Sequence, residues 1–151
     1  MKTYLIDGNN LIHKMKSISA QQKKDPQGTR DTLAFKIDNY FINKKVKVVL
    51  FFDGFQNVPI KTTKTKIIYS EKITADEKIR KYIEKAENPR NIVVVTSDDE
   101  IKKFAKACSC SVINSEDFET ALGRQNIGDE EERRIKELNN EEFKKLFGAD
   151  E

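Results

Sequence analysis

Aspartates stand at the ends of several short apolar segments in this sequence of 151 residues. Asp7 follows the first segment, Asp53 follows the second, and Asp98 and Asp99 follow the fourth. Asp76 lies in the first turn of a helical pattern that comes after the third segment. Ligands of an open α/β sheet bind beyond the carboxyl ends of its strands. If the apolar segments are parallel strands, separate parts of the chain deliver carboxylates to one edge of the sheet.

Carboxylates this close together repel one another unless a cation lies between them. Mg²⁺ and Mn²⁺ prefer carboxylate oxygen and water as ligands, and a pair of such ions about 3.5–4 Å apart can direct water onto a phosphodiester. We therefore expect Asp7, Asp76 and Asp98 to surround one metal site, with Asp53 and Asp99 as further ligands. Each aspartate also has a structural interpretation, because acids stabilise the first turn of a helix and often occupy turns.

The apolar segments that position these aspartates have the length of buried strands. They are Thr3–Ile6, Val46–Phe52, Lys66–Tyr69, Asn91–Val95 and Ser111–Ile113. Helical spacing of apolar residues separates them, over Asp31–Lys45, over Thr74–Glu87 and after Ser97. Thr74 and Ser97 begin capping boxes, and Ser115 is expected to cap a further helix that ends at Gly123. Strands that alternate with helices predict a mainly parallel sheet covered on both faces.

The length of the sequence favours a single domain. Its charged residues, however, are unevenly distributed along the chain. Residues 1–123 carry 22 bases and 16 acids, whereas residues 124–151 carry nine acids and six bases. We expect a domain over residues 1–123 and a charged helical extension over residues 124–151, packed on that domain. The basic excess of the domain favours an anionic partner such as nucleic acid, with solvated lysine faces as the alternative.

The sequence also limits where the protein acts. No apolar run reaches the ~18 residues of a membrane span. Cys108 and Cys110 are one residue apart, which is too close to staple a domain and unlike the spacing of a zinc site. We expect a soluble protein of the cytoplasm with reduced thiols and no membrane partner.

The segment that begins at Asp7 adds a turn and polar amides to the first aspartate. It reads Asp-Gly-Asn-Asn-Leu-Ile-His, in which Gly8 permits a sharp turn and the Asn10 amide can orient a carboxylate or a phosphate. Three further motifs follow in order: Phe52-Asp53-Gly54, Ala75-Asp76-Glu77-Lys78-Ile79 and Val95-Thr96-Ser97-Asp98. Together they resemble the motifs of NYN domains, a branch of the PIN-like nucleases, and especially of the bacterial YacP-type subgroup. Asn9 differs from the aromatic residue usual there, and the residues after Asp99 lack the Gly-rich, Arg-bearing character of many relatives.

The resemblance implies both a fold and an activity. The fold is a PIN-like three-layer sandwich with a mainly parallel five-stranded sheet of order 3-2-1-4-5 and C-terminal helices, which puts Asp7 beside Asp98. The activity is that of a Mg²⁺- or Mn²⁺-dependent endoribonuclease, with Asp7, Asp76 and Asp98 catalytic and Asn10 in contact with substrate. The implied substrate is single-stranded mRNA, in processing or decay, with the ribosome as a setting.

A lysine-rich stretch follows the second predicted strand, beginning in a predicted loop over Phe55–Thr65 and continuing past the third predicted strand. Lys61, Lys64, Lys66 and Lys72 are expected beside the carboxylates, where they would follow the phosphate backbone of RNA. Phe55 and Tyr69 are the two candidates to stack on a base. Lysines of a second predicted loop, Lys14–Arg30, are an alternative path for the RNA. A solvated loop is the structural interpretation of each lysine taken singly.

Two other functions stay open at this point. A non-catalytic RNA- or ribosome-binding module would keep the fold, although such a surface gains nothing from clustered carboxylates. A phosphohydrolase or receiver-like phosphotransfer domain would use Asp53 or Asp7, although position 9 is Asn where a haloacid-dehalogenase site has Asp. His13, the single histidine, is expected to pack or to cap a helix rather than to act as a base.

Overall fold

Five parallel strands form one sheet in the order β3-β2-β1-β4-β5. The structure is a computed structural model that describes residues 1–124. Its strands are β1 (Lys2–Asp7), β2 (Val46–Phe52), β3 (Thr65–Tyr69), β4 (Ile92–Val95) and β5 (Ser111–Ile113). The predicted strands are confirmed to within one residue at each end, and the strand order is the one that the resemblance implied.

Helices connect the strands and lie on both faces of the sheet. They are α1 (Gly8–Lys14), α2 (Lys16–Lys24), α3 (Pro26–Phe41), α4 (Ala75–Lys85) and α5 (Asp99–Ala107), with a 3-10 turn at Pro89–Asn91. Residues 115–124 are also helical. None of the helices within residues 1–124 is long and apolar enough to cross a bilayer.

The predicted loop over Lys14–Arg30 is wrong, because α2 and the first turn of α3 occupy it. Proline and glycine suggested a break there. However, Pro26 stands in the first turn of α3, where proline costs no hydrogen bond, and the Asp25 side chain caps the same helix by accepting from the Gly28 N–H at 2.9 Å. Met15 and Ile18 anchor the α2 region in the core.

The helix boundaries confirm one predicted cap and correct two. The Thr74 hydroxyl accepts from the Glu77 N–H at the start of α4, as the capping box predicted. Ser97 does not cap α5, because Asp98 is the N-cap residue. Gly123 does not end its helix, since residue 124 is still helical and Gly123 does not adopt the left-handed backbone with which glycine ends helices.

The core lies on both sides of the central strands because successive side chains of a strand point to opposite faces. On one face, Leu5 and Val94 pack with Ile79 of α4 and Ile101 of α5. The next residue of β1, Ile6, is equally buried and points to the face covered by α1 and α3. Burial on both faces explains why these strands read as nearly continuous apolar runs.

Residues Met1–Glu119 form one compact unit, and residues Thr120–Glu151 form a second. Of the second unit, the described residues 120–124 are helical. The division at residue 123 stays a prediction. The charged helical extension expected over residues 124–151 lies, beyond residue 124, outside the described residues.

Candidate active site

Asp7 ends β1 and immediately precedes α1, so its carboxylate lies at the carboxyl edge of the sheet. Only 7% of the residue is exposed. Burial raises the pKa of Asp7 from 3.8 to about 6, and the charges of Asp53 and Asp98 add to this rise. The Thr96 hydroxyl, which donates to Asp7 Oδ2 at 3.0 Å, and the Asn10 N–H partly oppose it. Its position in the folded protein therefore destabilises the ionised form of Asp7.

Thr96 joins Asp7 to Asp98. It follows β4 directly and is fully buried. Its hydroxyl donates to Asp7 and its oxygen accepts from the Asp98 N–H at 3.1 Å. The Asp98 carboxylate in turn caps α5 through Oδ1, which accepts from the N–H groups of Glu100 and Ile101 at 2.9 and 3.1 Å. Pairing of β1 with β4 thus brings these two aspartates to one place.

Asp53 and Asp76 reach the same place from β2 and α4. The Asp53 N–H donates to Asn9 Oδ1 at 2.9 Å, and Asp53 Oδ1 accepts from the Ala75 N–H at 2.8 Å. These bonds tie the turn after β2 to the starts of α1 and α4. Asp76 is half-buried and accepts from Arg80 Nε at 3.0 Å, one turn further along α4. Arg80 therefore offsets part of the negative charge.

The four aspartates line one open pocket of about 380 Å³. Its other polar lining residues are Asn9, Asn10, His13, Gln22 and Thr74. His13 is exposed and faces this pocket, so it does not pack in the core. It lies in the last turn of α1, and the alternative that it caps a helix stays a prediction.

The donor set of this pocket suits a hard divalent cation, since carboxylate and amide oxygens are the ligands that such ions prefer. Within residues 1–124, no group of three or more His, Cys, Asp or Glu side chains is close enough together to hold a metal ion by itself. Mg²⁺ commonly binds through one or two carboxylates and completes its shell with water and substrate phosphate. The residues present therefore fit such an ion, with water filling the space between the aspartates.

Asp99 does not line this pocket, so the structure does not bring it together with the other four aspartates. Its side chain is 84% exposed and lies 3.7 Å from Lys102 Nζ. As the first residue of α5, it points away from the site, while Asp98, as the cap, points into it.

The lysine stretch also lies elsewhere, because β3 runs in the same direction as β2. Lys66 pairs with Val49 and so lies three residues, about 10 Å, before the end of β3. Lys64 Nζ donates to the Lys44 carbonyl, which precedes β2 at the opposite edge of the sheet. Lys61 lines a separate pocket against α3. The prediction of lysines beside the carboxylates is wrong for Lys61, Lys64 and Lys66, whereas Lys72 follows β3 at the carboxyl edge of the sheet.

The contacts of several supporting residues were not foreseen from the sequence. Asn10 Oδ1 accepts from the Ser97 N–H at 3.0 Å and from the Ser115 hydroxyl at 2.7 Å, so its carbonyl oxygen serves the fold. Gly8 is required by contact: a Cβ there would lie 2.5 Å from the Phe51 carbonyl oxygen. The Thr96-Ser97 pair before Asp98 was the available signal for this network.

A parallel sheet of order 3-2-1-4-5 with aspartates from four segments at its carboxyl edge defines the class of PIN-like nuclease folds. Within that class, the sequence matches the YacP-like NYN domain over residues 4–148. The chain belongs to this family.

Solved structures agree on the fold. The crystal structure of Rae1 (YacP) from Bacillus subtilis aligns with a TM-score of 0.73 and 23% sequence identity, over 94% of this chain and 84% of that chain. A point mutant of the same protein gives the same score and identity, over 93% and 86%. The search of curated protein sequences found no match.

Proposed function

We propose that this chain is a Mg²⁺- or Mn²⁺-dependent endoribonuclease that hydrolyses phosphodiester bonds of single-stranded RNA, in mRNA processing or decay. The observation that carries the proposal is the meeting of Asp7, Asp53, Asp76 and Asp98 in one pocket. Membership of a family with a PIN-like nuclease fold supports it. The proposed substrate sets the place of action in the cytoplasm, with ribosome-bound mRNA included.

The cost of keeping Asp7 ionised argues for chemistry rather than simple binding. A rise of its pKa to about 6 corresponds to about 3 kcal/mol at neutral pH. A surface that only bound RNA would gain nothing from it, because carboxylates repel phosphates. Perturbed acids in a cleft are typical of functional sites.

The same four aspartates are the groups that would hold the ion. A bound Mg²⁺ or Mn²⁺ supplies an acidified water and neutralises charge on the phosphate. The chain's own residues keep the carboxylates in position. Thr96 orients Asp7 through its hydroxyl, and Arg80 orients Asp76 through its Nε atom. Asn9 and the Ala75 N–H fix the turn that carries Asp53.

Two neighbouring aspartates provide the test. Asp98→Asn changes a carboxylate that lines the pocket, and Asp99→Asn changes an exposed one outside it. Cleavage of a labelled single-stranded RNA is followed with and without Mg²⁺ or Mn²⁺, both free in solution and in a translation mixture. We expect metal-dependent cleavage by the unmutated chain and by Asp99→Asn. Asp98→Asn should lose at least about 100-fold, the scale for removing one charge-stabilising group.

Other outcomes separate the alternatives. An unmutated chain that binds RNA but cuts it in neither setting is the RNA- or ribosome-binding module. Equal cleavage by all three proteins means that the reaction takes place outside this pocket.

A further inference from the structure

We call the pocket lined by the four aspartates the acidic pocket. Another pocket, of about 310 Å³, lies next to it. Lys72, Lys78, Lys81 and Phe55 line it, and we call it the basic pocket. The segment between β3 and α4 separates the two, since Thr74–Asp76 face the acidic pocket while Lys72 and Lys78 face the basic one. Phe55 follows Asp53 by two residues, so their Cα atoms are at most about 7–8 Å apart.

The lysines give this pocket a positive charge. Lys78 and Lys81 are three residues apart on α4 and therefore lie on the same helix face. Glu71 is the one acid among the residues that line the pocket. Within residues 1–124, none of the three lysines forms an ion pair with a carboxylate. Their charges are available to a polyanion.

Phe55 is an exposed aromatic side chain on a fixed backbone. The residue is 57% exposed. Arg30 donates to the carbonyls of Asp53 and Phe55 at 2.5 and 3.1 Å. Gly54, with a φ of 86° that favours glycine, donates to Ser70 Oγ at 2.9 Å and accepts from the Glu71 N–H at 2.8 Å. An exposed ring held in this way loses little entropy on binding.

We propose that the basic pocket binds a nucleotide of single-stranded RNA next to the one whose phosphate meets the aspartates. Its base stacks on Phe55, and its phosphates contact Lys72, Lys78 and Lys81. Stacking on aromatic side chains combined with basic grooves is the common mode of single-strand recognition. The assignment rests on the proposed function, because it takes the neighbouring aspartates as the place of cleavage.

Two triple variants of equal charge test the lysines. Lys72→Gln, Lys78→Gln and Lys81→Gln are combined in one protein, and Lys61→Gln, Lys64→Gln and Lys66→Gln in the control, whose lysines lie away from the carboxylates. Binding of a fluorescent oligouridine is measured over a range of salt without divalent metal, after melting curves have established folding. Each lost phosphate contact makes the negative slope of log K against log salt shallower by about 0.7 for single strands. We expect the slope to become shallower by about 2 in the first triple variant and to stay unchanged in the control. Equal slopes in the two triples would overturn the proposal.

Phe55 is tested with two ligands. Phe55→Ala should weaken oligouridine binding about 5- to 150-fold, at an unchanged salt slope, and Phe55→Trp should retain the affinity. Inorganic polyphosphate carries no base, so its affinity should be the same for all three proteins. Equal weakening toward both ligands, or none toward RNA, would refute stacking on Phe55.

Binding and cleavage separate this inference from the proposed function. If the basic-pocket triple loses its salt slope and no protein cleaves RNA, the subsite stands and the nuclease proposal fails. If cleavage persists while the slopes and the Phe55 affinities are unchanged, the nuclease proposal stands and the subsite fails. An unmutated chain that does not bind oligouridine at any salt concentration refutes the subsite.

Discussion

Replacement of Asp7 by Asn should stabilise the metal-free protein at neutral pH while abolishing cleavage of RNA. Burial is the main cause of the rise of its pKa from 3.8 to about 6. At about 1.4 kcal/mol per pKa unit, the ionised carboxylate costs the folded state about 3 kcal/mol. Asn removes the charge, but its amide has one accepting oxygen where the carboxylate has two, so the hydrogen bonds from the Thr96 hydroxyl and the Asn10 N–H are weakened, which returns about 1–2 kcal/mol. The expected net gain is about 1–2 kcal/mol.

The gain in stability from Asp7→Asn should increase as the pH rises. Between pH 3.8 and about 6, Asp7 binds a proton in the folded state but not in the unfolded state. The Asp7 contribution to the free energy of unfolding of the unmutated chain therefore falls as the pH rises through this range. Above the range, the folded state bears the full free-energy cost of the ionised carboxylate. Below pH 3.8 the side chain is neutral in both states. The advantage of Asp7→Asn should be largest above pH 6 and disappear toward pH 3.8.

Urea unfolding with a chelator present measures this effect at about pH 7.5 and about pH 4. Asp99→Asn serves as the control, because its side chain is exposed and lies outside the pocket, so its change in stability should be small at both pH values. An Asp7→Asn protein that is less stable than the unmutated chain at neutral pH would refute the reasoning. An advantage of equal size at both pH values would show that ionisation of Asp7 is not its source.

Four further substitutions address the hydrogen bonds of Asp98, Thr96 and Asp38. Asp98→Asn keeps an oxygen that accepts at the start of α5 and should cost less than about 1 kcal/mol, whereas Asp98→Ala should cost about 0.5–2 kcal/mol; urea unfolding compares the two. Thr96→Val removes the hydroxyl between Asp7 and Asp98 and should cost about 1–3 kcal/mol, and it should raise the pKa of Asp7, measured by NMR titration. Asp38 accepts from the N–H groups of residues 63–65. Burial raises the pKa of Asp38, but these bonds hold it below 3.8. Asp38→Asn should therefore cost about 1–3 kcal/mol at neutral pH, and the difference should disappear as the pH falls below 3.8, again by urea unfolding.

The strands and the aspartates at their ends could be predicted from sequence because both follow from local pattern. A strand buried on both faces is nearly all apolar, so its end is visible where a polar residue such as Asp53 appears. Parallel strands then bring their carboxyl ends to one edge without further information. Asp99 shows the limit of this reasoning, since a shift of one residue in the helix cap decides which aspartate faces the pocket.

The lysines and α2 could not be predicted in the same way. The position of Lys66 depends on the register of β3 against β2, which the sequence of a short strand does not determine. The helix α2 has many lysines and few apolar residues, and only its tertiary contacts at Met15 and Ile18 reveal its buried side. The role of Thr96 could not be predicted from local pattern either, because its hydroxyl donates to Asp7, which is 89 residues away in the sequence.

The turn after β2 links the two pockets, and this link bears on how substrate would be held. Asp53 accepts from the Ala75 N–H on the acidic side, while Gly54 and Arg30 fix Phe55 on the basic side. A displacement of this turn would therefore move a carboxylate and a stacking ring together. If the proposed function holds, the acidic pocket repels the phosphates of RNA and the basic pocket attracts them. The RNA chain can then approach the aspartates only where lysines or a bound cation offset their charge. On this reasoning the lysines contribute to affinity in the absence of metal, and the aspartates contribute only when a cation is present.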